Sequence, residues 1–223
     1  MARLVWDQIG EKLYETGARN AVLYPIDTNN TYSKGVAWNG LLGFDENPSG
    51  AEPTKLWADD INYITMFSAE EYGGTIRAYT YPDEFEACDG SASLSKGVVV
   101  GQQNRQSFGF CYRTTIGNDT QGDAYGYRLH LVYGCKASPS AKTHDTINDS
   151  PSAVELSWEI SCTPVPVTGL KPTCVLEIDS TAVDPAKLKA FEDILYGSDG
   201  SGGSEGTVAR LPLPDEVKTL FGQ

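Results

Sequence analysis

Acid–base chemistry near neutral pH falls most readily to histidine, and this chain has two, His130 and His144. His130 stands inside an alternating apolar run and His144 in a polar stretch. No serine occupies the strand-to-helix turn that a nucleophile elbow requires. The five cysteines, Cys88, Cys111, Cys135, Cys162 and Cys174, are odd in number, form no CxxC pair and match no zinc spacing. Several fall within strand patterns, where a thiol packs as a small hydrophobe, so they read as reduced thiols of a protein made in a cytoplasm. Two sets could hold a hard cation: Asp119, Gln121 and Asp123, and Asp59, Asp60 and Asn62. Neither follows the ligand order of an EF-hand; turn formation explains the first set and solvation the second. The phosphate-cradling pattern GxxxxGK[ST] is absent. These residue types point to a non-enzyme with no cofactor and no resident metal.

The elements around those residues are mostly strands. Residues 107–135 (SFGFCYRTTIGNDTQGDAYGYRLHLVYGC) carry two alternating arms about a turn at 117–123. Phe108, Phe110 and Tyr112 share one face of the first arm. Tyr125, Tyr127, Leu129, Leu131 and Tyr133 share one face of the second, opposite Gly126, Arg128, His130 and Val132. A period of two predicts a hairpin with one buried face. Residues 154–162 place Val154, Leu156, Trp158, Ile160 and Cys162 opposite Glu155, Ser157, Glu159 and Ser161. Residues 174–179 set Cys174, Leu176 and Ile178 against Glu177 and Asp179. Shorter strands are expected at 21–25, 35–42, 75–81 and 96–101, with 56–67 extended.

Residues 1–20 form an N-terminal arm. Residues 43–55 (GFDENPSGAEPTK) and 136–152 are aperiodic and read as loops. A short helix is expected at 82–90. A longer one runs from an Asp184 N-cap and Pro185 to about Gly197, with Leu188, Phe191 and Leu195 as its apolar stripe. Residues 198–206 (SDGSGGSEG) read as a flexible linker before an apolar tail that docks on its own chain or on a neighbour.

Composition narrows the class further. With 223 residues and 40% hydrophobic content the chain suffices for one all-β domain, 1–223. The net charge of −13, from 17 basic and 30 acidic residues, repels phosphate and argues against a nucleic-acid-binding groove. The first residues carry charges where a signal peptide would be apolar, and no run approaches the about 20 apolar residues of a membrane span. An acidic, β-rich chain with no chemical motif suits a building block.

The order of several segments resembles the major tail tube proteins of long-tailed, siphovirus-type bacteriophages. These are YGGTIRAYTYPDEF (72–85), SFGFCYRT with GNDT (107–120), YRLHLVYG (127–134), INDSP followed by WEIS (147–161), and the final stretches at 188–197 and 211–217. The resemblance implies a mainly β fold, a β-sandwich or half-barrel with a flanking α-helix. It also implies hexameric rings whose inner strands join into one continuous β-barrel, and rings stacked into a tube through which DNA leaves the capsid. The implied partners are further copies of the chain, a tape-measure protein, and tail-tip and tail-terminator proteins. DNA would be met only in transit, and the location would be the virion tail, assembled in the bacterial cytoplasm.

On this reading Glu155, Glu159, Glu177 and Asp179 are candidate lumen-facing acids. The 43–55 loop, with Asp45, Glu46, Asn47, Pro48, Glu52 and Pro53, is the candidate ring-stacking element, supported by the N-terminal arm and the tail. Two other classes stay open. One is a virion carbohydrate- or receptor-binding β-sandwich, which exposed Trp and Tyr would support; the other is a hydrolase using His130 or His144.

Overall fold

The computed structural model describes residues 3–29, 31–144, 146, 153–200 and 206–222. Strands make up 46% of the chain and helices 13%, so the fold is mainly β. In chain order the strands are β1 (Leu13–Pro25), β2 (Val36–Trp38), β3 (Leu41–Glu46), β4 (Ser49–Gly50), β5 (Pro53–Ala58), β6 (Ile61–Phe67), β7 (Glu70–Glu71) and β8 (Gly73–Ala78). A 3-10 turn (Asp83–Phe85) runs into the one-turn helix α1 (Glu86–Asp89). Then come β9 (Ala92–Ser95), β10 (Val98–Val100), β11 (Phe108–Asn118), β12 (Gly122–Ala137), β13 (Leu156–Cys162) and β14 (Val175–Asp179). Helices α2 (Pro185–Leu195) and α3 (Pro214–Phe221) close the chain.

The main sheet is antiparallel, in the order β2-β1-β11-β12-β13-β8-β3. Its spine is the β11–β12 hairpin expected from the alternation. Asn118 Oδ1 closes the turn by accepting from the backbone N–H of Thr120 and Gln121 at 3.2 and 2.6 Å. The long strand β12 has two partners on its second edge: β14 beside 128–132 and β13 beside 135–137.

Two cores flank the spine. In the first, Phe108, Phe110, Tyr112 and Val132 meet Trp38, Ile76, Trp158, Ile160, Phe85 and Cys88. Trp38 of β2 lies 5.7 Å from Trp158 of β13, and Phe44 of β3 lies 5.1 Å from Tyr112 of β11. The sheet is therefore bent so that its two ends share one aromatic filling, with the 3-10 turn and α1 packed into it. In the second core, Cys111, Leu129, Leu131 and Tyr133 meet Leu188, Phe191, Leu195, Leu211 and Val217. The hairpin is thus buried on both faces, not on one. Helices α2 and α3 cover the Leu129, Leu131 and Tyr133 face of β12, while the apolar face of β11 (Phe108, Phe110, Tyr112) lies on the opposite side, in the first core; each fully buried side chain contributes about 1.5–3 kcal/mol.

Helix α2 forms where its cap signals place it: Asp184 Oδ1 accepts from the backbone N–H of Ala186 and Lys187 at 2.9 and 3.0 Å. It and α3 flank the outer face, whereas α1 belongs to the first core. The apolar tail folds back on its own chain, with Phe221 5.6 Å from Phe191. Residues 201–205 of the linker lie outside the described residues, and its ends are pinned by Ser198 and Thr207, which exchange two backbone hydrogen bonds.

Three boundaries differ from the sequence reading. The N-terminal arm ends at Lys12, because β1 begins at Leu13 and pairs with β11 along most of its length, through register shifts near Gly17 and Asn20. The second loop starts later than 136, because β12 runs on to Ala137. The third difference is the supposed loop at 43–55. Residues 41–46 are β3, and the chain then climbs through β4 and β5, turns at Asp59 and Asp60, and returns through β6 and β7 into β8. This is one antiparallel ribbon, kinked where Gly50 and Ala51 have φ of 80° and 52°. Its breaker residues bend the ribbon without ending it. The turn at Asp59 and Asp60, with φ of 51° and 62°, has the two positive values a tight hairpin needs.

Candidate functional site

Three surfaces collect the residues singled out by sequence. The first is the end of the ribbon. β5 and β6 pair with each other, and among the described residues no other element packs substantially against them. Each strand of this arm is about 20 Å long by the strand rise. Cross-strand pairing puts Leu56 opposite Ile64, Thr54 opposite Met66 and Ala58 opposite Ile61, so one face is almost wholly aliphatic. Leu56, Ile61, Ile64 and Met66 are all 45% exposed or more. The other face carries Trp57 and Phe67, with Lys55, Thr65 and Asn62. Exposed Leu4, Val5, Trp6 and Ile9 extend the apolar inventory along the N-terminal arm.

Of the residues proposed for a stacking loop, Glu52 and Pro53 lie at the base of this arm, where Glu52 N–H donates to Ser68 Oγ at 3.1 Å and Pro53 pairs with Phe67. Asn47 donates its N–H to Gly73 O at 2.9 Å, next to Pro48 at the edge of the sheet. Asp45 and Glu46 are in β3, on opposite faces. The apolar tip, at 54–67, lies beyond the expected loop.

The second surface is the outer face of β3, β8 and β13. Asp45, Thr75 and Glu159 stand side by side across the three strands, and Gly43, Arg77 and Ser157 form the next row. Arg77 Nε donates to Asp45 at 2.8 Å. That carboxylate, with Glu155 adding at longer range, holds the guanidinium above its usual pKa. Glu155 precedes β13 and is exposed, as is Glu159.

The third surface is a polar cluster at the mouth of the bent sheet, on the first-core side. Glu177 lies opposite His130, and Asp179 opposite Arg128, across the β12–β14 pair. The four candidate acids therefore do not share a surface: Glu155 and Glu159 face outward from β13, while Glu177 and Asp179 face the mouth. Though close in sequence, β13 and β14 each pair with β12 and not with each other. Arg128 binds Glu15 at 2.7 Å and approaches Asp179 and Glu177 at 3.5 and 3.7 Å. Against its burial, hydrogen bonds from the Thr181 hydroxyl and N–H, aided by Arg128, hold the Asp179 carboxyl below its usual range.

His130 is 5% exposed, and its ring stacks on Tyr112 with centroids 4.5 Å apart and planes 3° from parallel. Tyr112 donates its hydroxyl to Glu46 at 2.8 Å. Burial, reinforced by Glu46, pushes the Tyr112 phenol far above its ordinary pKa. Thr114 Oγ1 lies 2.8 Å from His130 Nε2 and donates to Glu15 Oε1 at 2.5 Å. A threonine beside a histidine beside a carboxylate has the outline of a proton relay. The hydroxyl proton, however, is directed at Glu15, and Glu177 is 3.6 Å from Nδ1, beyond hydrogen-bond length.

The remaining candidates have local roles. Asp119 accepts from Gly10 N–H at 2.9 Å and Asp123 from Tyr14 Oη–H at 2.8 Å, tying the N-terminal arm and β1 to the hairpin turn. Asp59 and Asp60 make the arm's turn, and the Asn62 amide donates to Thr65 Oγ1 at 3.1 Å. All five cysteines are free thiols, four of them buried. Desolvation pushes Cys88 and Cys111 up to about 12, which makes them unreactive packing groups. Of the 136–152 loop, 145 and 147–152 lie outside the described residues, and Lys142 anchors its first half to Asp89 at 3.0 Å. No described helix is long and apolar enough to cross a membrane.

No protein-family model matches the sequence, and no curated protein matches it. Sequence reasoning missed two groups. One is the aliphatic face of Leu56, Ile61, Ile64 and Met66, whose alternation is broken by the register shift at Leu56–Trp57 and by Asp59 and Asp60 at the turn. The other is the set of Glu15, Glu46, His130 and Glu177. They come from four strands, and only the pairing of those strands brings them together.

Proposed function

We propose that this protein is a structural subunit that assembles with copies of itself, as the major tail tube protein of a long-tailed bacteriophage. The observation that carries the reading is the β5–β6 arm. A two-stranded ribbon is marginal alone in water, and one with an aliphatic face of Leu56, Ile61, Ile64 and Met66 left in solvent is a liability unless another chain covers it. A stacked ring of identical subunits supplies that cover at every arm. Further support comes from the bent antiparallel sheet, which has the outline of a sandwich or half-barrel, from helices on its outer face, and from the resemblance of several segments in order.

The outer face of β3, β8 and β13 is the better candidate for a channel lining than Glu177 and Asp179. Sixfold repetition of Asp45, Glu155 and Glu159 gives a polyanionic wall that does not hold passing DNA. Glu177 and Asp179 lie beside Arg128 inside the mouth, at 3.7 and 3.5 Å. A sugar- or receptor-binding role has one observation in its favour, the exposed Trp57 and Tyr63. Trp57 does share its face with Lys55, Thr65 and Asn62, but a sugar on that face would leave Leu56, Ile61, Ile64 and Met66 on the opposite face uncovered. Native mass measurement of the purified chain separates the two: six-subunit rings and their multiples support the tube, and a monomer that is retained on glycans supports the rival.

A further inference from the structure

We infer that Glu46, His130 and Glu177 form a binding site for one divalent transition-metal ion of the zinc class. The inference stands whether or not the chain builds tubes. One ligand atom from each residue lies within 4.8 Å of the other two. The hydrogen-bond network fixes the histidine tautomer. Thr114 Oγ1 gives its proton to Glu15 Oε1, so it can only accept from His130, and Nε2 carries the ring proton. Nδ1 then presents a lone pair. It is buried, has no hydrogen-bond partner, and points at Glu177 Oε1 3.6 Å away. On the neutral ring, the buried Nδ1 and the more exposed Glu177 Oε1 are two lone-pair carriers facing each other, a place that a cation between them would satisfy.

The surroundings match a metal-bound histidine. Its other nitrogen is held by a hydroxyl backed by a carboxylate, the arrangement that fixes ring orientation and raises basicity. Stacking on Tyr112 locks the ring. Three carboxylates (Glu15, Glu177, Asp179) face one guanidinium, Arg128, and Glu46 adds a fourth beside His130, so a dipositive ion reduces a net negative charge. Tetrahedral zinc at about 2.0–2.2 Å from each ligand needs ligand atoms about 3.3 Å apart. The exposed, rotatable Glu46 and Glu177 side chains close the difference while His130 stays still. An imidazole nitrogen with two carboxylates selects zinc-class ions over calcium or magnesium, which take all-oxygen shells. The fourth position stays open to water. The ion would tie β3 to β12 and β14 across the mouth.

The test is calorimetric titration of the chelator-treated full chain with zinc chloride, with cobalt(II) visible absorption as a second readout. One ion per chain with a micromolar dissociation constant, a cobalt spectrum of a low-coordinate N/O site, and a melting temperature that rises with zinc concentration are expected. Because His130→Gln disturbs a buried ring, the exposed Glu177→Gln and Glu46→Gln are the primary variants. Each should weaken zinc binding at least tenfold while keeping the metal-free melting temperature, and His144→Gln should bind as the parent does. Millimolar binding, a stoichiometry other than one, retention of affinity in both glutamate variants, or loss of it in His144→Gln would overturn the assignment.

Discussion

Replacing Leu56 and Ile64 together by threonine tests whether the arm's aliphatic face belongs to an interface. The two residues are cross-strand partners, 45% and 48% exposed in the isolated subunit. Full burial of such a side chain is worth about 2 kcal/mol, and roughly half of each is still in water, so an interface gains about 1 kcal/mol from each. Loss of about 2 kcal/mol per arm lowers the association constant of one subunit contact about thirtyfold. Every arm of a ring loses it at once, so stacking should fail at concentrations where the parent assembles. Threonine keeps the β-branched preference for a strand, and exposed positions change folding stability by only about 0.5 kcal/mol. Sedimentation velocity over a concentration series, with a thermal melt by circular dichroism, reads both quantities. Assembly equal to the parent's would refute the reasoning. So would a large drop in melting temperature, since that would mean the face is already packed within the subunit.

Four further outcomes follow from the same geometry. Glu155→Lys with Glu159→Lys should leave assembly intact and slow DNA ejection from particles, whereas Glu177→Gln should not; equal ejection rates in all three would place the channel elsewhere. Trp158→Ala removes a fully buried ring that also donates to Asp89 Oδ1 at 3.0 Å, and chemical denaturation should show a loss of about 3–5 kcal/mol. Asp184→Ala removes both capping bonds of α2 and should cost about 1 kcal/mol in the same assay. Asp27 is held down to about 2, chiefly by the Thr31 N–H, then the Thr31 hydroxyl, with Ser33 and Asn29 adding smaller contributions. Its folded pKa is below the unfolded value of about 4, so its stabilising contribution is present above pH about 4 and fades as pH falls towards 2. Asp27→Asn should flatten that part of the acid-denaturation profile, and an unchanged profile would contradict the assignment.

Strands with one apolar face were legible from sequence, and so was α2, whose Asp184-Pro185 start and Leu188, Phe191 and Leu195 stripe are local signals. What α2 covers was not legible, because the second face of β12 (Leu129, Leu131, Tyr133) reads the same whether it meets a helix or another sheet. The first half of β1 was hidden by Gly17 and Asn20, whose positive φ values interrupt the alternation. In the ribbon, Pro48, Gly50 and Pro53 imitate a loop, and the arm beyond them mixes Trp57 and Phe67 with Lys55, Thr65 and Asn62 on its second face and shifts register at Leu56–Trp57, which blurs its period. The mouth cluster has no sequence signature at all. Glu15, Glu46, His130 and Glu177 become neighbours only through long-range strand pairing, the same pairing that separates Glu159 from Glu177.

The central claim is self-assembly through the arm, and electron microscopy of the purified chain tests it most directly. The account predicts six-membered rings, stacked into tubes as concentration rises, with density for the β5–β6 arm seated on an adjacent subunit. Particles that stay single at high concentration, and that still form no rings when tail-tip components are added, would contradict it.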